Sequence, residues 1–142
     1  MSKSNTFETD LLDLIFNATA IANIADNAAS APLTNLYLSL HTGDPGEAGN
    51  QTTNECAYTS YAREAVARTS GGFTVSGNSV TLASAVDFTT ATGGTETVTH
   101  FAVGTDLSGT GKILYSGTVT PNISVSSGVT PQLTTGTTIT ED

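Results

Sequence analysis

The sequence predicts a mainly β protein: a single β-sandwich or jelly-roll-like domain of about seven or eight short strands, preceded by an amphipathic helix. Threonine and serine supply 41 of the 142 residues, and β-branched threonine suits the half-exposed surface of a strand. Turn signals, many of them glycine pairs, separate short apolar segments about every 8–12 residues, a spacing typical of sandwiches and barrels. The length fits one domain.

The helix is predicted from apolar residues at helical spacing over residues 6–27. Asn5 is a suitable N-cap, with Glu8 in the capping-box position. Leu12 and Phe16 fall outside the main apolar stripe and form a second patch. Two interpretations are open: both patches pack in the protein's own core, or the second patch contacts another subunit. The main stripe consists of Phe7, Leu11, Leu14, Ile15, Ala18, Ile21, Ala22 and Ala25.

The apolar period changes from helical to alternating after residue 31, which divides the chain into a helix with its linker, residues 1–31, and a β domain, residues 32–142. In the first strand Leu36, Leu38 and Leu40 alternate with polar residues, so we expect the opposite face, with Tyr37 and His41, to meet solvent or an interface. An Asp-Pro-Gly turn at residues 44–46 precedes a polar surface loop, residues 47–58. Further strands are predicted at residues 62–69, 73–76, 80–82, 98–103, 113–119, 123–125 and 137–140.

The charge of the chain argues against two classes of partner. Four basic residues stand against 13 acidic ones, for a net charge of −9. So few cations cannot neutralise a nucleic-acid backbone, and an anionic membrane surface would repel the chain. We therefore expect no nucleic-acid and no membrane partner. The N-terminus lacks the features of a signal peptide.

Residues that carry chemistry are sparse. Cys56 is the single cysteine, and no nucleophile motif accompanies either of the two histidines. Asp44, Glu47 and Glu55 share one loop and could serve as the paired carboxylates of a glycosidase. Glycan-processing sites usually also present aromatic platforms, and the chain has no tryptophan. We therefore expect no enzyme, and no catalytic, metal or cofactor-binding residues.

Three stretches of the sequence carry a family resemblance. They are NLYLSLHTGDPGEAG at 35–49, SYAR at 60–63 followed by VDF at 86–88, and HFAVG at 100–104 through GKILYSG at 111–117. On these residues the chain resembles a family of tailed-bacteriophage virion proteins. Its members are described as capsid decoration, tail-fibre-like or virion-associated proteins, and the resemblance extends over nearly the whole chain.

The resemblance implies a component of the virion, assembled in the host cytoplasm, with no catalytic site. Within that class we expect a capsid decoration (cement) protein that binds the major capsid protein on the outer surface and stabilises the shell. This interpretation depends on the small size, the single domain and the lack of a fibrous repeat. The alternative is a tail-associated adaptor or a receptor-binding, fibre-like module, and a glycan-processing enzyme comes third.

Contacts with other subunits or with the capsid are expected at apolar and aromatic side chains. If Leu12 and Phe16 were exposed, a self-associated form, most simply a homotrimer, would cover them. The tyrosines near the polar loop are the residues that a receptor-binding module would use. The candidate interface residues are Leu12, Phe16, Tyr37, His41, Tyr58 and Tyr61.

Overall fold

The computed structural model describes residues 3–21, 24–28 and 31–141, and it confirms a mainly β protein with an N-terminal helix. Within these residues no helix is long and apolar enough to cross a membrane. Helix α1 spans Asn5–Phe16. The strands are β1 (Asn35–His41), β2 (Glu64–Ala67), β3 (Phe73–Ser76), β4 (Ser79–Leu82), β5 (Val86–Asp87), β6 (Glu96–Gly104), β7 (Ile113–Val125), β8 (Gln132–Leu133) and β9 (Thr138–Thr140).

These strands form three small sheets, with the orders β2-β1-β6-β7, β3-β4-β9 and β5-β8. The segments predicted at 113–119 and 123–125 are two parts of one strand, β7. Strands β5 and β8 were not predicted, because two residues are too few to show an alternating pattern. β1 pairs antiparallel with β6, from Tyr37 opposite Gly104 to His41 opposite His100.

The chain divides into two compact units, each built from separate segments. Unit 1 consists of Met1–Asn35, Val66–Ala85 and Leu133–Asp142, and unit 2 of Leu36–Ala65 and Val86–Gln132. The domain boundary predicted after residue 31 lies inside the first segment of unit 1, and the two-domain division at that point stays a prediction.

Helix α1 packs on β3 and β4 within unit 1. Its buried residues are Glu8, Leu12 and Phe16, which lie four residues apart along one helix face. The ring of Phe16 contacts the ring of Phe73 edge-on, with centroids 4.9 Å apart. The predicted main stripe is therefore wrong: Phe7, one of its members, is 38% exposed. The prediction treats residues 6–27 as one helix, whereas the helix ends at Phe16 and later residues do not share its face.

The end of α1 explains why the predicted helix was too long. The backbone N–H of Asn17 donates a hydrogen bond of 3.0 Å to the carbonyl of Asp13. Ala18 then takes a φ of +54°, in the left-handed region that is unusual for a residue other than glycine. This conformation directs the chain out of the helix, although the apolar spacing continues. Ala22, also assigned to the stripe, lies outside the described residues.

Two contacts hold the N-terminal end of unit 1. Ser4, and not Asn5, is the N-cap: its hydroxyl oxygen accepts a hydrogen bond of 3.4 Å from the backbone N–H of Phe7. Lys3 Nζ lies 2.9 Å from Glu141 Oε1. The first and last described segments of the chain therefore meet in this unit.

Arg68 holds the other end of the helix through hydrogen bonds from its guanidinium group. Nε donates to the carbonyl of Ile15 at 2.7 Å, and Nη2 donates to the carbonyl of Leu14 at 2.8 Å. Nη1 donates to the carbonyl of Leu33 at 2.7 Å and to Asn27 Oδ1 at 3.4 Å. The last turn of a helix has carbonyls without helical partners, and Arg68 donates hydrogen bonds to two of them. Through Asn27 and Leu33 it also connects the segment that follows the helix to the end of the helix.

Candidate functional site

Unit 2 encloses a group of polar side chains. Gln51 and His41 are fully buried, and Arg63 is 6% exposed. Burial of polar and charged groups is unfavourable unless they are hydrogen-bonded or paired, so the partners of each group show what the arrangement does. The group, called the polar cluster below, consists of Ser39, His41, Gln51, Glu55, Tyr61 and Arg63.

The centre of the polar cluster is an ion pair between Arg63 and Glu55. Arg63 Nε donates to Glu55 Oε1 at 2.6 Å, and Nη2 donates to Oε2 at 2.8 Å. This two-bond geometry matches the planar guanidinium to the carboxylate. The remaining donors reach backbone carbonyls in the loop between β6 and β7: Nη1 donates to Asp106 at 2.9 Å and Nη2 to Gly109 at 2.8 Å. The Arg63 side chain therefore links Glu55 to the loop between β6 and β7.

Tyr61 completes the surroundings of the carboxylate. Its hydroxyl donates to Glu55 Oε1 at 3.0 Å and accepts a hydrogen bond of 3.0 Å from the backbone N–H of Leu40. Burial, together with the charge of Glu55, raises the pKa of Tyr61. The hydrogen bond to Glu55 raises the pKa of Arg63, so the guanidinium stays charged and the phenol stays neutral.

Gln51 also forms hydrogen bonds with the loop between β6 and β7, through both its side chain and its backbone. Its Nε2 donates to the carbonyl of Asp106 at 3.2 Å, and its Oε1 accepts from the Asp106 backbone N–H at 3.0 Å. Its own backbone N–H donates to the carbonyl of Thr110 at 3.0 Å. A Cβ at Gly104 or Gly111 would collide with the end of the Gln51 side chain, so a larger residue at either position would displace Gln51 from these hydrogen bonds. Residues 105–112, called the pinned loop below, are thus fixed by both Gln51 and Arg63.

The expectation that the Tyr37/His41 face of β1 is exposed is wrong for His41 and for its neighbour Ser39, both of which are fully buried. Residues 53–56 return alongside β1, and His41 Nδ1 lies 2.8 Å from the carbonyl of Thr53. Nε2 lies 2.9 Å from Ser39 Oγ. A carbonyl only accepts, so the neutral ring donates from Nδ1 and accepts the Ser39 hydroxyl at Nε2. Burial lowers the pKa of His41.

The loop at residues 47–58 also differs from the exposed loop expected there, because several of its side chains are buried. Tyr58 is 2% exposed; its backbone N–H donates to Glu96 Oε2 at 3.1 Å and its hydroxyl to the carbonyl of Thr89 at 2.9 Å. Cys56 is buried, and burial raises the pKa of its thiol to about 12. The preceding turn is as predicted: Gly46 takes a φ of +69° and its N–H donates to Asp44 Oδ1 at 2.8 Å.

The six candidate interface residues are not brought together. Leu12 and Phe16 lie in the interior of unit 1, and His41 and Tyr58 lie in the interior of unit 2. Such burial leaves little of these four side chains for a partner to contact in this structure. The other two, Tyr37 and Tyr61, are half-buried. A role of all six in an interface stays a prediction.

Sequence reasoning missed Gln51, Arg63 and the pinned loop. Gln51 has no distinctive signal, because its role depends on a loop more than 50 residues away. Arg63 carried one signal: it is among only four basic residues, and it lies next to a strand. A cation in such a position requires a partner, and Glu55 in the adjacent loop was available.

The polar cluster is suited to holding loops and not to acid–base chemistry. Both carboxylate oxygens of Glu55 accept hydrogen bonds from Arg63, so neither is left free to bind a substrate. In the part of the chain that the structure describes, no group of three or more His, Cys, Asp or Glu side chains could hold a metal ion. The arrangement therefore fixes the shape of one end of unit 2.

Comparison with known proteins identifies the class. A search of the curated proteins finds no match to the chain. A family model described as "Podophage GP4 fiber I protein gp80" matches residues 2–141. This match corrects the expected capsid decoration role, because the matched family is one of fibre proteins, and it agrees better with the fibre-like alternative. The protein is a structural component of the phage virion and not an enzyme. The chain belongs to the podophage GP4 fiber I protein gp80 family.

Proposed function

We propose that this fibre protein is an adaptor, a small rigid module that attaches to another protein of the virion through the pinned loop. The observation that carries the proposal is the contrast within that loop. Its backbone is fixed by Arg63 and Gln51, whereas the side chain of Leu107 at its tip is 57% exposed.

Rigid presentation matters because association costs conformational entropy. A loop that is already ordered loses little freedom when it binds, so more of the contact energy appears as affinity. Binding residues are commonly found on loops that a rigid scaffold positions. An exposed leucine at the tip of such a loop is suited to an apolar pocket on a partner protein.

A glycan receptor fits this end of the molecule less well. Recognition of a sugar usually requires an exposed aromatic face, and Tyr58 and Tyr61, two of the tyrosines that were candidates for this role, are occupied. Tyr58 is 2% exposed and packs edge-on against Tyr61 at a centroid distance of 5.3 Å. Tyr61 in turn stacks on Phe88 at 6.4 Å. A protein partner is therefore favoured over a glycan.

The experiment replaces Leu107 with serine in the phage and counts copies of the chain per purified particle by quantitative mass spectrometry. We expect the wild type in a small multiple of three or six copies, and a several-fold lower number for Leu107→Ser. Leu33→Ser is the matched control, since Leu33 is another exposed leucine, in unit 1. Equal incorporation of the three proteins would contradict the role of the loop.

A further inference from the structure

We propose that the protein bound by the pinned loop carries a basic side chain at the rim of its apolar pocket, and that this side chain pairs with the carboxylate of Asp106. The inference rests on the proposed function, which requires only the apolar contact of Leu107, and it adds the charge of the partner. Its basis is the way in which Asp106 is held, the exposure of its side chain and the charge of the whole chain.

The polar cluster holds Asp106 at both of its backbone polar groups. The carbonyl of Asp106 accepts hydrogen bonds from Arg63 Nη1 at 2.9 Å and from Gln51 Nε2 at 3.2 Å. The N–H of Asp106 donates to Gln51 Oε1 at 3.0 Å. Because the side chains of Arg63 and Gln51 are buried, they fix the position of the Asp106 backbone relative to the interior of unit 2.

The carboxylate of Asp106 is oriented as well. Its Oδ2 accepts a hydrogen bond of 2.5 Å from the hydroxyl of Thr105. That hydroxyl accepts a hydrogen bond of 3.0 Å from the backbone N–H of Lys112, and the backbone N–H of Thr105 donates to the carbonyl of Lys112 at 3.0 Å. The carboxylate is therefore tied to the two ends of the pinned loop, and little of its freedom remains to be lost when a partner binds.

No ion pair within the described residues uses the charge of Asp106. The ion pairs of this part of the chain join Lys3 to Glu141 and Arg63 to Glu55. The hydrogen bond to Glu55 is the main cause of the raised pKa of Arg63, and the charge of Asp106 makes a smaller contribution to it. Since Asp106 is exposed, its carboxylate can be reached by a cation of another protein.

The charge of the chain indicates the sign of the partner. With a net charge of −9, the chain repels a second copy of itself or another acidic protein and attracts a basic surface. Leu107, which follows Asp106, is 57% exposed. Protein interfaces commonly surround an apolar contact with polar and charged groups at the rim. Asp106 and Leu107, together called the anchor below, are therefore complementary to an apolar pocket that has an arginine or a lysine at its edge.

The test counts the copies of the chain that remain on purified virions after incubation in NaCl at about 0.1 M and about 1 M, which shortens the Debye length from about 10 Å to about 3 Å. Quantitative mass spectrometry gives the count. We expect wild-type virions to lose copies at the higher concentration. Asp106→Asn keeps the size of the side chain and an oxygen that can accept from Thr105. We expect it to retain about two- to five-fold fewer copies at the lower concentration and to respond little to salt. Asp106→Lys should retain fewer still, because like charges meet.

Asp87→Asn is the matched control. Asp87 is another exposed acid of unit 2, and its carboxylate also accepts a hydrogen bond from a neutral side chain, that of Gln132 at 2.6 Å. The substitution changes the net charge by the same amount, so these virions should retain as many copies as the wild type at both salt concentrations. If Asp87→Asn had the same effect as Asp106→Asn, the overall charge and not the anchor would be responsible, and the proposal would be wrong.

Two further measurements separate this inference from the adaptor role and from a structural role of Asp106. Leu107→Ser should lower the copy number at both salt concentrations. If it does so and Asp106→Asn matches the wild type, the adaptor role stands and the basic partner is excluded; if neither variant has an effect, both proposals fail. Purified Asp106→Asn should unfold at the same urea concentration as the wild type. A lower midpoint would mean that the carboxylate supports Arg63 inside unit 2, and it would overturn the binding role.

Discussion

The two arginines of the chain lie in different units and are used differently. Arg63 in unit 2 binds a carboxylate through two hydrogen bonds and then reaches two carbonyls of the pinned loop. Arg68 in unit 1 binds neutral acceptors, the carbonyls of Leu14, Ile15 and Leu33 among them. Each arginine joins segments distant in sequence, but among the described residues only Arg63 is paired with a carboxylate of its own unit.

The difference appears in the direction of the two pKa shifts. The hydrogen bond to Glu55 raises the pKa of Arg63, whereas partial burial lowers the pKa of Arg68. A buried ion pair is strongly destabilised when one partner is lost, because the other charge stays buried alone. When a cation that binds neutral carbonyls is removed, no unpaired charge remains in the interior. Similar hydrogen-bond geometry at the two arginines therefore carries different mutational costs.

The largest expected effect is that of Arg63→Leu. Glu55, whose side chain is 14% exposed, would remain in the interior without its cation, and we expect the free energy of unfolding to fall by about 3–5 kcal/mol. Urea denaturation followed by circular dichroism measures this loss. The double variant Arg63→Leu/Glu55→Leu should be more stable than Arg63→Leu alone. If the double variant were less stable, the ion-pair explanation would be wrong.

Arg68→Leu should cost less, about 2 kcal/mol, because hydrogen bonds from a charged donor are lost but no buried charge is left. Arg68→Lys keeps the charge and loses the planar fork that reaches several carbonyls at once, so we expect it to recover only part of the stability. Thermal unfolding of the two variants checks this order. A loss for Arg68→Leu as large as that for Arg63→Leu would remove the distinction between the two arginines.

The smallest expected effect concerns pH and His41. Burial lowers the pKa of His41 below its ordinary value of 6.5, so near that value the unfolded chain binds more protons than the folded one. Stability is therefore complete above about pH 6.5 and is lost as the pH falls towards the folded-state pKa, by at most about 1.4 kcal/mol per pH unit for one group. Urea denaturation at several pH values between neutral and mildly acidic should show this slope, and His41→Gln should flatten it. An unchanged slope in that variant would assign the dependence to other groups.

Much of the fold could be predicted from the sequence where the pattern is local. β3 matches its predicted residues, and most other strands lie within a few residues of theirs. The start of α1 lies within one residue of its prediction. Its end was not, because apolar spacing continues through residues where Ala18 leaves the helical conformation. Periodicity records which residues can share a face, and it does not record where the backbone turns.

The site was harder to predict because its contacts are distant in sequence. The alternation in β1 correctly places Leu36, Leu38 and Leu40 in the core. It also implies that His41 is exposed, which holds only if nothing covers the second face. Residues 53–56 cover it, and the carbonyl of Thr53 contacts His41. This part of unit 2 depends on contacts between residues distant in sequence, such as Arg63 and Asp106, which no local sequence pattern indicates. Polar burial depends on tertiary contacts, and a single sequence shows those poorly.

The make-up of unit 1 has a consequence for the order in which the chain folds during synthesis. β9, at Thr138–Thr140, pairs with β4, and Glu141 pairs with Lys3. Among the described elements helix α1 is synthesised before every strand, yet the sheet of its unit is complete only after β9 has emerged. The strands of β1, β6 and β7 are all available by residue 125. Unit 2, whose last segment ends at Gln132, can thus form while the sheet on which α1 packs still lacks β9, so translation delays the completion of unit 1.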